Sequence, residues 1–404
     1  MKVLFRIIQF VLKWVAKILP WKQPVVLEGH DSLVSLKKHL TTLPYKHYLI
    51  VTDPGIKKVG LLDYVIRVIQ MDSIQFTIYD AVTPNPTIQS IEAAYQLFLS
   101  TGCDALIGLG GGSAIDAAKA VGIRVKKPNT PLHQMKGILK VRKTLPFLIA
   151  IPTTAGTGSE TTIATVISNP DTHEKYAISD LSLMPKVAVL EPKLTKNLPK
   201  FFTATTGMDA LTHAVEAYVG HGGTKFTNRM AEEAILGIQK YLKLSYDEPH
   251  DLEARSGMLK ASFQAGAAFT RAYVGNIHAI AHTFGGFYQV PHGYANAIIM
   301  PHVLKFYGKK AEHKLAKLSD LLGLTDGSVS NGMKMKAFID WIEKLNAYFG
   351  IPTQIEVPHK QDLDAMIRNA YKEANPLYPV PKIFSKMDFK VLYNAIMKLD
   401  DKAA

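Results

Sequence analysis

Apolar and polar positions change rhythm twice along this chain. Residues 1–21, MKVLFRIIQFVLKWVAKILPW, keep a helical period. At about 100° per residue, Lys2, Arg6, Gln9, Lys13 and Lys17 fall within an arc of roughly 80°. Phe5, Ile8, Leu12, Val15 and Leu19 cover the opposite side, and Ile7, Phe10, Val11, Trp14 and Ile18 widen it. A basic amphipathic helix carrying Trp and Phe is the profile of an interfacial membrane anchor. A helix docked on the body of the protein or on a partner subunit is the alternative. Lysines interrupt the apolar run and no small-residue cleavage site follows, which argues against a signal peptide. The apolar length also falls short of the roughly 20 residues that a spanning helix needs. Pro20 and Pro24 end the segment.

From about residue 25 the rhythm becomes strand, helix, strand. HYLIVTD (47–53) and QFTIYD (75–80) are apolar, β-rich runs, and a helical pattern follows from Thr87 to Ser100. DALIGLGGGSAIDAAKA (104–120) reads as strand, glycine turn, helix. FLIAIPTTAGTGSE (147–160) is a strand closing on a Thr/Gly/Ser loop. TIATVIS and KYAIS suggest a hairpin, and KVAVLEP a further strand. Strands alternating with helices predict a parallel sheet with crossover helices.

After about Phe202 the β signal stops. Helical periodicity dominates in segments near 204–219, 226–245, 250–273, 293–306, 309–323, 331–348, 361–373 and 387–398. The expected organisation is an amphipathic helix over 1–23, an α/β domain over 24–202 and an all-helical domain over 203–404. A cleft between the two domains is the expected place for ligands.

Composition changes this picture little. The 404 residues are 47% hydrophobic and 20% charged, a globular balance with ample chain for a core. The single cysteine, Cys103, excludes an intrachain disulfide framework and suits a reducing, cytoplasmic setting. It precedes the apolar run Ala105–Leu109 and reads as a small buried hydrophobe rather than a catalytic thiol. The formal charge is +13, of which Lys2, Arg6, Lys13, Lys17 and Lys22 supply five with no acid among them. The remaining +8 is spread without a long basic run. No nucleic-acid motif is present, so an anionic membrane or an anionic cofactor is the expected partner of this charge.

The candidate chemistry lies in residues 275–297, GNIHAIAHTFGGFYQVPHGYANA, and in GMDALTHAVEAY upstream. His278 and His282 are four apart, so both rings leave one face of a helix. His292 follows Pro291, where a helix cannot easily continue, so a turn can bring it back toward them. Asp209 and His213 repeat the four-residue spacing in a second helical pattern. One carboxylate and several imidazoles converging from two helices make a divalent-metal site. Packing or surface histidines are the plainer reading, because a chain with 14 histidines places pairs at this spacing by chance.

Two loops suit an anionic ligand. Gly110, Gly111, Gly112 and Ser113 lie between a strand and a helix, where backbone N–H groups and the helix N-terminus favour a phosphate. The run matches neither GxGxxG nor a P-loop, and a tight turn made for packing would look similar. PTTAGTGSE brings Thr153, Thr154, Thr157 and Ser159 into a second loop rich in hydroxyl and N–H donors. Asp53, at a strand's carboxyl end, can accept from ribose hydroxyls and repel a 2′-phosphate, or can simply be a turn residue before Pro54 and Gly55.

Together, GGGSAIDAAK, IPTTAGTGSE, GMDALTHAVEAY and HAIAHTFGGFYQVPHGYANA resemble the iron-containing (group III) alcohol dehydrogenase family over roughly residues 24–400. The four motifs occur in order at sensible spacings. The resemblance implies a dinucleotide-binding α/β domain and a helical domain, the dehydroquinate synthase-like architecture. It implies a divalent metal on Asp209, His213, His278 and His292, with iron favoured over zinc. It places His282 near the nicotinamide as a helper in proton transfer. It puts the GGGS and Thr/Gly/Ser loops, with Asp116, on the cofactor, and Asn85 and Lys175 near it. An aspartate at the position of Asp53 favours NAD over NADP in the family.

The implied reaction is hydride transfer between a primary alcohol and NAD(P), with the metal as Lewis acid on the alcohol oxygen. A homo-oligomer is implied as well. A polyol or hydroxy-acid dehydrogenase of the same fold, or a non-catalytic membrane-associated scaffold, are the rival readings. If residues 1–21 lie on a membrane, a long-chain or lipid-derived alcohol or aldehyde becomes the expected substrate. The leading amphipathic segment and the stretch NPLYPVPKIF depart from the family pattern.

Overall fold

The computed structural model describes residues 2–169 and 174–399. After α1 (Lys2–Ile18), the strands run β1 (Val25–Glu28), β2 (His47–Val51), β3 (Gln75–Tyr79), β4 (Ala105–Gly110), β5 (Gly137–Ile138), β6 (Phe147–Pro152), β7 (Ala164–Asn169), β8 (Glu174–Ser179) and β9 (Val187–Leu190). Between them lie α2 (Ser32–Thr41), α3 (Pro54–Lys58), α4 (Leu61–Ile69), α5 (Ile88–Ser100) and α6 (Gly112–Lys126).

Six strands form one sheet in the order β1-β9-β6-β4-β2-β3, with every pairing parallel. Its strands are nearly unbroken apolar runs because both faces are covered. Successive residues of a strand point to opposite faces. Tyr48 and Ile50 pack with Leu62, Val65 and Ile69 of α4, while Leu49 and Val51 pack with Ile91, Ala94 and Phe98 of α5. Cys103 is buried beside this second cluster, as a small hydrophobe. The expected hairpin is present as antiparallel β7 and β8, to which β5 adds a short parallel strand.

The strand order sets the place for a ligand. From β2 the chain passes outward to β3, then jumps back across β2 to β4. The crossovers on either side of β2 and β4 therefore use opposite faces, which opens a crevice at the carboxyl ends of these strands. Registers Val51↔Gly108 and Gly110↔Pro152 bring the ends of β2, β4 and β6 side by side.

Beyond residue 199 come α7 (Lys200–Val219), α8 (Lys225–Asp247), α9 (Leu252–Ala272), α10 (Asn276–Tyr288), α11 (His292–Tyr307), α12 (Glu312–Leu321), α13 (Asn331–Tyr348), α14 (Leu363–Ala374) and α15 (Lys386–Ile396). β10 (Ile355–Val357) and β11 (Met397–Leu399) add one short parallel pair that the helical periodicity hides. Helix α7 is buried nearly all round, from Thr203 to Val219, so it lacks the one-sided stripe of a surface helix.

Contacts divide the chain into two compact units, and each is discontinuous in sequence. The α/β unit holds Pro20–Pro199 with Leu244–Gly266, and the helical unit holds the leading residues through Leu19, Lys200–Lys243 and Ala267 onward. The expected single cut near residue 202 is therefore crossed twice. Helix α1 packs with the helical unit because its polar side chains bond there: Arg6 donates to the Val380 and Pro381 carbonyls, and Gln9 to those of Pro376 and Tyr378.

Candidate metal centre and nucleotide loops

Asp209 and His213 stand one turn apart on α7, and Glu216 follows three residues later on the same face. His278 lies in the first turn of α10. That helix ends at Tyr288, Gln289 takes a left-handed conformation, and Pro291 precedes His292, the first residue of α11. The turn thus returns His292 to the others. One ligand atom from each of Asp209, His213, His278 and His292 lies within 4.8 Å of all the rest. Three helices, not two, supply this set.

Asp209 Oδ1 is 3.5 Å from His292 Nε2 and 3.9 Å from His278 Nε2. Asp209, His213 and His278 are buried, and His292 is partly exposed, so the cluster opens on the His292 side. The His213 ring stacks between Phe269 and His278, at centroid distances of 4.1 and 4.5 Å. Gly293 lets α11 meet α7 here, because a Cβ would fall 2.3 Å from the Thr205 carbonyl oxygen.

Two further side chains orient the set. The Glu216 carboxylate accepts from His278 Nδ1 at 2.6 Å and from the Gly275 and Ile277 backbone N–H groups at 2.8 Å each. With Nδ1 held as donor, His278 turns the lone pair of Nε2 toward Asp209. Burial pushes Glu216 up to about 7, against the pull of those N–H groups. Burial also holds His278 well below the ordinary histidine value, so its ring is neutral, the form a metal ligand requires. Asn296 Nδ2 donates to Asp209 Oδ1 at 2.7 Å and lies 3.2 Å from Nε2 of both His278 and His292. Three imidazoles and one carboxylate, converging and internally oriented, fit ferrous iron or zinc.

His282 stands outside the cluster. Its ring stacks on His292 at 5.1 Å, and Nδ1 is 2.6 Å from Glu373 Oε1. The same oxygen accepts from the Tyr378 hydroxyl at 2.8 Å. A carboxylate on Nδ1 leaves Nε2 as the nitrogen able to exchange a proton.

In the α/β unit, the loops after β2, β4 and β6 touch. Asp53 caps α3 by accepting the Ile56 N–H at 3.1 Å. Its Oδ2 lies 3.2 Å from where a Cβ on Gly110 would be, and Gly110 has φ +146, so only glycine fits there. A Cβ on Gly111 would lie 3.6 Å from Thr154 Oγ1, and one on Gly112 would lie 2.9 Å from Thr157 Cγ2. Thr153 N–H donates to the Gly110 carbonyl at 3.0 Å. No side chain caps the N-terminus of α6, whose N-cap is Gly111. A helix N-terminus without a side-chain cap suits an anion. Asn85 N–H donates to the Ser113 hydroxyl at 3.3 Å, and Lys175 Nζ donates to Asn85 Oδ1 at 2.8 Å, which joins all three.

Asp116 and Ser159 sit differently. Asp116 is buried, accepts the Val166 N–H at 2.9 Å through one oxygen and lies beside Ser159. Beside them Lys119, fully buried and pushed down to about 8, donates to the Thr162 and Ala164 carbonyls. Asp116 with Lys119 therefore forms a floor that holds the Thr/Gly/Ser loop from below.

Residues 24–192 match the model of the iron-containing alcohol dehydrogenases, and residues 203–397 match that of their C-terminal domain. The chain belongs to the iron-containing alcohol dehydrogenase family. It is 38% identical to alcohol dehydrogenase 4 of Schizosaccharomyces pombe over 87% of this chain and 84% of that protein. It is 34% identical to the NAD-dependent methanol dehydrogenase of Bacillus methanolicus, over 87% of this chain and 92% of that one. A solved 1,3-propanediol oxidoreductase superposes with a TM-score of 0.88 at 32% identity, covering 93% of this chain and 99% of that one. This iron-containing alcohol dehydrogenase is an oxidoreductase acting on alcohols and aldehydes.

Sequence reasoning missed Glu216, Asn296, Lys119 and Glu373. The first three stand inside motifs already singled out. Glu216 falls at i+7 from Asp209, on the face of the ligands, which is a readable signal. Glu373 carries none, since only the tertiary fold brings it to His282. Substituting Glu216→Gln keeps the side chain's size and removes its charge. Metal affinity is expected to fall about 10–100-fold, read by competition with a chelator. Unchanged affinity would show that Glu216 does not act through His278.

Proposed function

We propose that this enzyme interconverts a primary alcohol and its aldehyde with NAD, and that Asp209, His213, His278 and His292 hold its iron. The observation carrying the reading is the convergence of these four ligand atoms within 4.8 Å, with His278 oriented by Glu216. Iron, when bound, supplies a Lewis acid that polarises the substrate oxygen and lowers the pKa of an alcohol.

The chain's own residues do the rest. The N–H groups at the start of α6 receive the pyrophosphate, and the Thr/Gly/Ser loop over Gly111 and Gly112 closes on it. The Asp53 carboxylate at the end of β2 accepts from ribose hydroxyls and disfavours a 2′-phosphate. The Bacillus methanolicus relative is named as NAD-dependent, in keeping with this preference. His282, held at Nδ1 by Glu373, presents Nε2 for the proton that leaves or returns to the substrate hydroxyl.

The test is oxidation of primary alcohols of increasing chain length by metal-stripped protein given Fe²⁺ or Zn²⁺, with NAD⁺ and NADP⁺ in parallel. Turnover restored by metal with NAD⁺ is expected, and its absence with every metal and cofactor would overturn the reading. In the same assay Asp53→Asn should improve NADP⁺ relative to NAD⁺ by roughly tenfold, about 1.4 kcal/mol of like-charge repulsion removed.

A second observation supports a place at a membrane surface. Helix α1 turns Arg6, Gln9 and Lys13 to the protein beside half-buried Phe5, Ile8 and Leu12, with Gln9 buried and Lys13 donating to the His221 carbonyl. The rest of its apolar surface is left out: Val3 is 75% exposed, Phe10 62% and Ile18 81%, and Trp14 is exposed among them. Lys2, Lys17 and Lys22 are exposed around this face, a charge pattern complementary to anionic headgroups. Among the described residues, no helix is long and apolar enough to cross a membrane. We assign the face to the surface of an anionic leaflet. Co-sedimentation with phosphatidylserine vesicles should be lost in Phe10→Ser/Trp14→Ser, which leaves Arg6 and Gln9 intact. Equal binding of variant and parent would refute the assignment.

A further inference from the structure

Both stretches that depart from the family pattern lie in the helical unit, and they bond to each other. Residues 375–383, NPLYPVPKI, contain three prolines, which offer no N–H. Such a segment cannot satisfy its own carbonyl oxygens through regular structure, so buried ones need donors from elsewhere. Helix α1 supplies them. Gln9 Nε2 donates to the Pro376 carbonyl at 3.0 Å and the Tyr378 carbonyl at 2.8 Å. Arg6 donates through Nη1 to the Val380 carbonyl at 2.7 Å and through Nη2 to the Pro381 carbonyl at 3.0 Å. Arg6 Nη1 also donates to Gln9 Oε1 at 2.9 Å, which locks the pair. The remaining carbonyl among these, Pro379, accepts the His221 N–H at 2.6 Å, and Lys13 holds the His221 carbonyl.

This segment leads to His282. The Tyr378 hydroxyl donates to the Glu373 oxygen that holds His282 Nδ1. Tyr378 N–H also donates to the Ala374 carbonyl at 3.0 Å, so its backbone position follows the end of α14. The Asn276 side chain donates to the Lys382 carbonyl, which ties the far end of the segment to the first turn of α10. His278 is two residues further along that helix.

We propose that α1 is a working part of the active site: Arg6 and Gln9 are positioning residues that fix residues 376–381 and, through Tyr378 and Glu373, the imidazole of His282. The proposal rests on the reading of His282 given above. It gives helix α1 and residues 376–381 complementary roles. Each provides what the other lacks, donors on one side and unmet carbonyls on the other. Removing the two α1 side chains leaves the Pro376, Val380 and Pro381 carbonyls to water and the Tyr378 carbonyl with only the Val380 N–H, and the segment loses its fixed path past Glu373.

The test uses the full chain, loaded with metal, carrying Arg6→Ala/Gln9→Ala, Glu373→Gln, or all three. One readout is independent of turnover: amide exchange at His221, Tyr378 and Val380 should quicken about tenfold in Arg6→Ala/Gln9→Ala, with metal content unchanged. In the activity assay, kcat should fall about tenfold with KM for NAD⁺ unchanged. The triple variant should lose no more than Glu373→Gln alone, because both changes break one path. Arg6→Lys, which keeps the charge but loses the planar fork that spans the two carbonyls, should fall between. Unchanged kcat in Arg6→Ala/Gln9→Ala, or losses that multiply with Glu373→Gln, would overturn the proposal while leaving the reaction assigned. A parent enzyme inactive on every alcohol would instead remove the functional reading, and the positioning role with it. Exchange unaltered at the three amides would overturn the wiring itself.

Discussion

The buried carboxylate of Glu216 is the interaction on which the catalytic unit depends. It takes three N–H groups at once, from Gly275, Ile277 and the His278 ring. The two backbone bonds anchor the start of α10 to the middle of α7, and the third selects the tautomer of His278. A carboxylate in so dry a place is expensive unless every lone pair is used and a positive charge stands nearby. Its raised pKa is the sign of that cost when only N–H groups answer it. A divalent cation beyond the His278 ring is the charge that completes the arrangement.

The α/β unit meets a different constraint, that of close approach. Three loops at neighbouring strand ends pack against one another, so the backbone there is bare. Gly110 lies against Asp53, and Gly112 against Thr157, with no space for a Cβ at either position. What keeps such bare loops in place lies underneath. Asp116 and Lys119 bond backbone groups of β7, and Lys119 also bonds the Thr162 hydroxyl. The GGGSAIDAAK motif thus divides its labour: its start faces the ligand loops, and the next turn and a half of α6 supports the neighbouring loop.

Helix α1 turns a mixed face inward, with Gln9 buried beside half-buried Phe5, Ile8 and Leu12, where an amphipathic surface helix ordinarily buries its apolar stripe alone. Here the polar stripe is needed inside, because residues 376–381 present carbonyl oxygens and few donors of their own. Once Arg6, Gln9 and Lys13 are engaged, helical geometry leaves Phe10, Trp14 and Ile18 facing outward. One helix thereby offers an apolar surface on one side while its other side braces a segment that reaches His282.

The strand–helix alternation, the parallel sheet, the helical second half and the clustering of Asp209, His213 and His278 were all legible in the chain, because local period and four-residue spacing determine which face a side chain occupies. His292 was legible too, since Pro291 requires a turn at that point. Glu216 was within reach at one further helical step and was passed over. Which residues pair across long separations was not legible. That Asp116 accepts the Val166 N–H, 50 residues away, has no trace in its motif. Glu373 has no local signature, because its partner His282 lies 91 residues away. The periodicity of residues 1–21 determined that there would be two faces. Only the tertiary structure decided which face turns inward, since that depends on unmet carbonyls more than 360 residues away in the chain, and no local pattern records where those come to lie.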